Sequence, residues 1–221
     1  MWLDKILKYK REELEHLRRK VRLADVRKRG EDVEPPRDLV PRLKSPRPPF
    51  IKGGQGGISV IAEIKKASPS AGVIVENYDP VGIALQYEEN GAAALSILTD
   101  RHFFQGSLED IGKVKGRVAL PVLRKDFVFD EYQIYESRGG GADAILLIVR
   151  ILTDSQLKDY RDLAGELGMA ALVEVHDEGD LERVTLEGRG KQRPYLIGIN
   201  NRDLDTLKVD LAATERLAPK A

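Results

Sequence analysis

The chain has 221 residues, 42% hydrophobic and 33% charged, with 36 Lys/Arg offsetting 36 Asp/Glu, values that suit one globular domain and exclude a disordered or collagen-like chain. No apolar run reaches the roughly 18–20 residues of a membrane span, and the N-terminal residues lack a secretory-signal pattern. With no cysteine and only three scattered histidines, His16, His102 and His176, no disulfide or metal site is expected, and the composition suits a cytoplasmic enzyme that needs no redox chemistry.

Trp2, Leu3, Ile6, Leu7, Leu14, Leu17 and Val21 recur at helical spacing, which predicts an amphipathic N-terminal helix. Residues 1–50 hold 15 Lys/Arg against 9 Asp/Glu. A nucleic-acid- or membrane-binding arm would use such a surplus, but acidic residues interleave with the basic ones, as on a solvated helix face. Pro35, Pro36, Pro41, Pro46, Pro48 and Pro49 follow and predict a covering segment or linker, because proline lacks a backbone donor and pushes its neighbour toward extended structure. Gly53, Gly54, Gly56 and Gly57 read as a loop, since no Lys-Ser/Thr follows and a strand rather than a helix comes next. Residues 1–57 are thus expected to form a helical extension with a Pro/Gly-rich connection, and residues 58–221 the first six βα units of the same single domain.

From Ile58 the pattern changes. Continuous apolar runs occur at Ile58–Ile64, Ala92–Leu98, Val118–Leu123, Ala144–Val149, Ala170–Val175 and Tyr195–Ile199. Short runs without alternation suit strands buried on both faces, the condition of a parallel sheet. Asp79 before Pro80, Asp130 with Gln133, and Thr153 with Gln156 mark helix starts between them. Gly91, Gly139–Gly141 and Gly168 sit where helices need a left-handed cap. After the first unit the runs begin about every 25 residues, the cadence of an α/β fold of the (β/α)8 TIM-barrel type.

In such barrels the active site lies at the C-terminal strand ends. The first run ends in Glu63 and Lys65, then Ser68-Pro69-Ser70. The third ends in Arg124, Lys125 and Asp126. The fifth contains Glu174 and continues to His176, and the sixth ends in Asn200, Asn201 and Arg202. One such residue could be a neutralised rim charge. Four strand ends supplying acids, ammonium groups and amides to one rim define a site, because a charge at the buried end of an apolar strand is costly unless paired. Mixed charges in one cavity also shift pKa values, so that a Lys can serve as acid and a Glu as base.

The stretches Ile61-Ala62-Glu63-Ile64-Lys65-Lys66-Ala67-Ser68-Pro69-Ser70, Leu98-Thr99-Asp100 with Phe104-Gln105-Gly106-Ser107, Leu123-Arg124-Lys125-Asp126-Phe127, Leu172-Val173-Glu174-Val175-His176 and Gly198-Ile199-Asn200-Asn201-Arg202-Asp203-Leu204 resemble indole-3-glycerol-phosphate synthase, a lyase of tryptophan biosynthesis. The resemblance covers nearly the whole chain, including a helix laid over the barrel mouth. It implies conversion of 1-(2-carboxyphenylamino)-1-deoxyribulose 5-phosphate to indole-3-glycerol phosphate, with ring closure, decarboxylation and dehydration and no cofactor. It implies Lys125 as the general acid of ring closure and Glu174 as base and acid of later steps. Glu63 and Lys65 match a substrate-positioning pair, with Lys65 a proton donor in dehydration. Asn200 and Arg202 match orienting groups and Ser68 a phosphate contact. Phe104 and Phe127 match walls for the anthranilate ring, though a plain core role is equally open for each.

Six units are present, where the barrel fold has eight. The expectation is therefore a barrel that ends after its sixth βα unit, without the phosphate grip that the resemblance places on strands seven and eight, and with little activity as an isolated chain. Expected partners are a small phosphorylated substrate, no nucleic acid and no membrane. Association through open barrel edges or with other tryptophan-pathway enzymes completes that expectation. Another phosphate-binding β/α-barrel enzyme and a non-catalytic interaction protein are the alternatives.

Overall fold

A computed structural model describes residues 2–44, 58–187 and 195–221. Three helices come first: α1 (Trp2–Lys20), α2 (Leu23–Glu31) and α3 (Leu39–Lys44). β1 (Ile61–Ile64) is followed by a small hairpin, β2 (Ala67–Ser68) and β3 (Gly72–Val73), and then by β4 (Ala94–Leu98), β5 (Val122–Lys125), β6 (Ala144–Ile148), β7 (Ala170–Val175) and β8 (Leu196–Ile199). Between and after the strands lie α4 (Pro80–Glu89), α5 (Arg101–Phe104), α6 (Glu109–Lys115), α7 (Glu131–Gly139), α8 (Asp154–Glu166), α9 (Glu178–Glu187) and α10 (Ala212–Leu217).

All six apolar runs supply strands of one parallel sheet in the order β1-β4-β5-β6-β7-β8. Each new strand joins the edge of its predecessor. The order never reverses, as it would in a doubly wound sheet, and it is the order of a β/α barrel. At about 4.8 Å per strand a flat sheet would hold β1 and β8 roughly 24 Å apart. Yet residues from both strand ends line one cavity, so the sheet curves around it.

Strand alternation divides the core into two layers. Ile64, Leu95, Ile97, Val122, Ile145, Leu147, Val173 and Val175 are fully buried and pack outward against Ile111, Val114, Ile134, Leu157 and Val184 of the helices. Leu123 and Ala144 belong to the inner layer. The third strand begins later than its apolar run. Val118 and Leu120 are buried, but their carbonyls accept hydrogen bonds from the Arg37 guanidinium at 2.8 and 2.9 Å, and Pro121 has no N–H for a ladder.

The expected helix starts are built as capping physics requires, with one difference. The Asp79 carboxylate accepts from Val81 N ahead of Pro80 in the first turn, and Thr153 with Gln156 forms a reciprocal capping box. Asp130 accepts from Tyr132 N, but Gln133 does not complete a box with it. Gln133 is buried, donates to the Phe127 carbonyl at 2.8 Å and accepts from Phe129 N at 2.9 Å, so it fastens the loop after β5. Gly91, Gly141 and Gly168 take φ values of 83°, 88° and 79° at the helix exits, where any side chain would be strained.

The N-terminal helices wrap the body from one end to the other. Leu3 and Ile6 of α1 pack on Phe127, Leu146 and Ile148 at the C-terminal ends of the strands. Leu14 and Val26 meet Tyr132 of α7. Leu39 of α3, 1% exposed, then packs on Ala94, Leu123 and Ala144 from the opposite end. The first part of the proline-rich stretch contains a helix, which Pro41 permits because it sits within the first turn of α3. Pro46, Pro48, Pro49 and the four glycines of 53–57 lie outside the described residues.

Candidate active site

A cavity of about 430 Å³ opens at the C-terminal strand ends. The nine residues to which the resemblance gives a role all line it: Glu63, Lys65, Ser68, Phe104, Lys125, Phe127, Glu174, Asn200 and Arg202. Its apolar wall is completed by Leu3 and Ile6 of α1 with Leu98, Leu146 and Ile148. The Phe104 and Phe127 rings stand 6.4 Å apart, tilted by 39°.

One end of the cavity is a charged triad. Glu63 Oε2 accepts from Lys125 Nζ at 2.8 Å and Oε1 accepts from Lys65 Nζ at 2.5 Å. β4 separates β1 from β5, so the Lys125 pair spans an intervening strand. Burial pushes the Glu63 carboxyl pKa up, but the charge and hydrogen bond of Lys125, with help from Lys65, outweigh it and hold Glu63 below the usual range.

Glu174 faces the cavity from β7, 8% exposed. Its Oε1 accepts from Asn200 Nδ2 at 3.0 Å. Burial again works against the charged form. Contacts with His176 and Asn200 and the charge of Lys125 prevail, and Glu174 too is held ionised. Asn200 Oδ1 accepts from Arg202 N at 2.9 Å, and Arg202 Nη1 donates to the Leu207 carbonyl at 3.0 Å, so the segment after β8 is folded back on itself. Ser68 lies in the β2–β3 hairpin, where its Oγ accepts from Ala71 N at 3.2 Å.

Not every polar strand end turns inward. Lys125 enters the cavity, whereas Arg124 points among the helices and donates to Thr99 Oγ1, the Gln133 carbonyl and Ser137 Oγ, with Glu136 2.9 Å away. Alternation along β5 separates the two neighbours. Asp126 borders the cavity, but its carboxylate accepts from Thr99 Oγ1 at 2.7 Å and Arg124 Nη2 at 3.1 Å and pairs with Lys10 Nζ at 3.0 Å. Burial opposes its charge; Lys10 and Arg124 overcome this and hold Asp126 far below the usual carboxylate range. Asn201 Oδ1 accepts from Thr214 N and Oγ1 and so anchors α10. The rim expected from four complete strand ends is thus made by a subset of their residues.

The sequence reading missed Leu3, Ile6, Leu146 and Ile148 as cavity walls. Alternation along β6 offered a signal for the last two, but nothing local tells which face of α1 meets the mouth. Lys10 was also missed, although it falls on the stripe of Leu3, Ile6 and Leu14, where a charge is anomalous.

Sequential parallel strands with a cavity of charged and polar side chains at their C-terminal ends define the β/α-barrel class of fold. A family model described as "Indole-3-glycerol phosphate synthase" matches residues 3–221. Proteins named indole-3-glycerol phosphate synthase from Chlorobium phaeovibrioides and from a Polaromonas species are each 49% identical to the chain, over 220 and 218 residues; the matches cover 99% of this chain and 80% and 78% of those proteins. The protein of the same name from Chlorobium chlorochromatii is 45% identical over 218 residues, 99% of this chain and 80% of that protein. The chain belongs to the indole-3-glycerol phosphate synthase family, enzymes of the carboxy-lyase class.

Proposed function

We propose that the chain converts 1-(2-carboxyphenylamino)-1-deoxyribulose 5-phosphate to indole-3-glycerol phosphate, carbon dioxide and water, with Lys125 as the acid of ring closure. The observation that carries this reading is the placement of Lys125, Glu63, Lys65, Glu174 and Asn200 around one cavity with an apolar wall. Attack of an aromatic ring carbon on a ketone develops negative charge on the ketone oxygen, and an ammonium group held in place supplies both the field and the proton. Glu63 fixes Lys125 Nζ at 2.8 Å. Arg202 and Lys65 attract the substrate carboxylate, and decarboxylation follows with the ring flanked by Phe104 and Phe127. In the dehydration, Lys65 gives a proton to the departing hydroxyl while Glu174, oriented by Asn200, takes the ring proton. Ser68 in the β2–β3 hairpin contacts the phosphate.

The test is turnover of this substrate by the purified chain, following indole product and carbon dioxide together. Equal yields that vanish in Lys125→Met are the expected result. Undiminished ring closure by Lys125→Met would overturn the assignment.

A further inference from the structure

Behind Glu174, away from the substrate side, lies a buried pair that the chemistry above does not use. His176 follows β7 directly, and only 2% of its side chain is exposed. Its Nε2 is 3.3 Å from Glu174 Oε1, and its Nδ1 is 3.5 Å from Asp180 Oδ2. Both contacts are longer than a well-formed charge-assisted hydrogen bond, yet each carboxylate raises the imidazole pKa. Asp180, at the start of α9, also accepts from His176 N at 3.0 Å, which fixes the backbone of the same residue. Arg150, on the turn after β6, closes the cluster from outside: its Nε is 3.4 Å from Asp180, and its two other nitrogens reach Asp177 and Asp203 at 2.8 and 3.0 Å.

From this geometry we propose that His176, backed by Asp180, is a positioning residue for Glu174: it holds the carboxylate ionised and oriented for proton abstraction in the cavity. Asn200 and His176 approach the same oxygen, Glu174 Oε1, so two groups from different parts of the chain restrain the carboxylate. A carboxylate in apolar surroundings drifts toward its neutral form, which cannot act as a base. The groups that face His176 decide its charge. Burial lowers its pKa and Arg150 lowers it further, but Asp180 and Glu174, one on each ring nitrogen, push it up to about 9. Lys125 adds a second positive charge on the cavity side of Glu174. The imidazole never touches substrate; it acts through the base.

This inference rests on the role proposed for Glu174, and the experiment separates the two. Nuclear magnetic resonance of the intact chain, labelled with ¹⁵N-histidine and ¹³C-glutamate, reads both titrations directly, with the His176 signal assigned by its loss in His176→Asn. The expected result is a cationic His176 at pH 7.5 and a Glu174 midpoint that rises by about one pH unit or more in His176→Asn. A neutral His176 at pH 7.5, or an unmoved Glu174 midpoint, overturns the inference. Asp180→Asn keeps an acceptor for His176 N and removes only the charge. It should lower the His176 midpoint and move the acid limb of kcat/KM upward, with kcat affected more than KM. Glu174→Gln distinguishes the layers: wild-type turnover in that variant removes Glu174 as the base. If Glu174→Gln is inactive while both neighbour variants keep the wild-type kcat and pH profile, only the role of His176 falls.

Discussion

Glu63 shares one negative charge between two ammonium groups, Lys125 at 2.8 Å and Lys65 at 2.5 Å. Glu63→Gln would leave those cations facing each other without their counter-charge, and Lys125 would lose its anchor. We expect kcat/KM to fall by about 10²-fold, and Lys125→Met to cost about 10²–10⁴-fold, the usual range for a positioned acid; steady-state kinetics of both variants check this order. Lys10 makes the opposite kind of contact, structural and dry, with Asp126 at 3.0 Å, Glu13 at 2.7 Å and Asp100 at 3.8 Å. Lys10→Met removes the cation from two buried carboxylates, at a cost of about 3 kcal/mol and a fall in Tm of about 6–12 °C, measurable by calorimetry. Lys125, Glu174 and Asn200 were legible in the sequence because each interrupts or ends an apolar strand. The partnership of Lys10 was not, since 116 residues separate it from Asp126 and only the docked helix brings them together.

Elements were legible wherever their signals are local. Caps, left-handed glycines and apolar runs report on a few adjacent residues, and the helices starting at Asp79, Asp130 and Thr153 begin as those residues dictate. The β2–β3 hairpin was illegible because two residues per strand leave no period to detect. The turn after β4 shows how tightly one element can constrain the site. An added Cβ on Gly106 would stand 2.1 Å from the Leu98 carbonyl oxygen, and Gly106 N donates to the Asp100 carbonyl at 2.8 Å. Gly106→Ala must therefore push the loop away from β4 and carry Phe104 with it. The expected outcome is a higher KM together with lower stability; a variant with wild-type KM and Tm would show that the loop absorbs the methyl group.

Across the whole molecule, the charge pattern sets a stability curve with two flanks. Glu63, Asp126 and Glu174 have depressed pKa values in the fold. Their contribution is present above the unfolded values of about 4 and is lost as pH falls through the folded ones. Asp100 works the other way, because burial raises it. His176, raised to about 9, contributes fully below about 6.5 and loses that contribution as pH rises through 9. Stability should therefore peak between about pH 5 and 6.5 and decline toward pH 9.5. Urea unfolding across this range tests the curve, and His176→Asn should flatten its alkaline flank. The parallel order of the sheet was legible from repeated buried runs, whereas its curvature and the wrap of the N-terminal helices follow from contacts between distant residues.

That wrap has a consequence in time. Leu3 and Ile6 are made well before Leu146 and Ile148, part of the surface they bury against. At about 5–20 residues per second, α1 emerges roughly 7 to 30 s before its seat exists. Each strand can meanwhile pair with the one made just before it, so the sheet grows in the direction of synthesis while the first helix waits. A helix made before its seat can dock only once β6 has followed it.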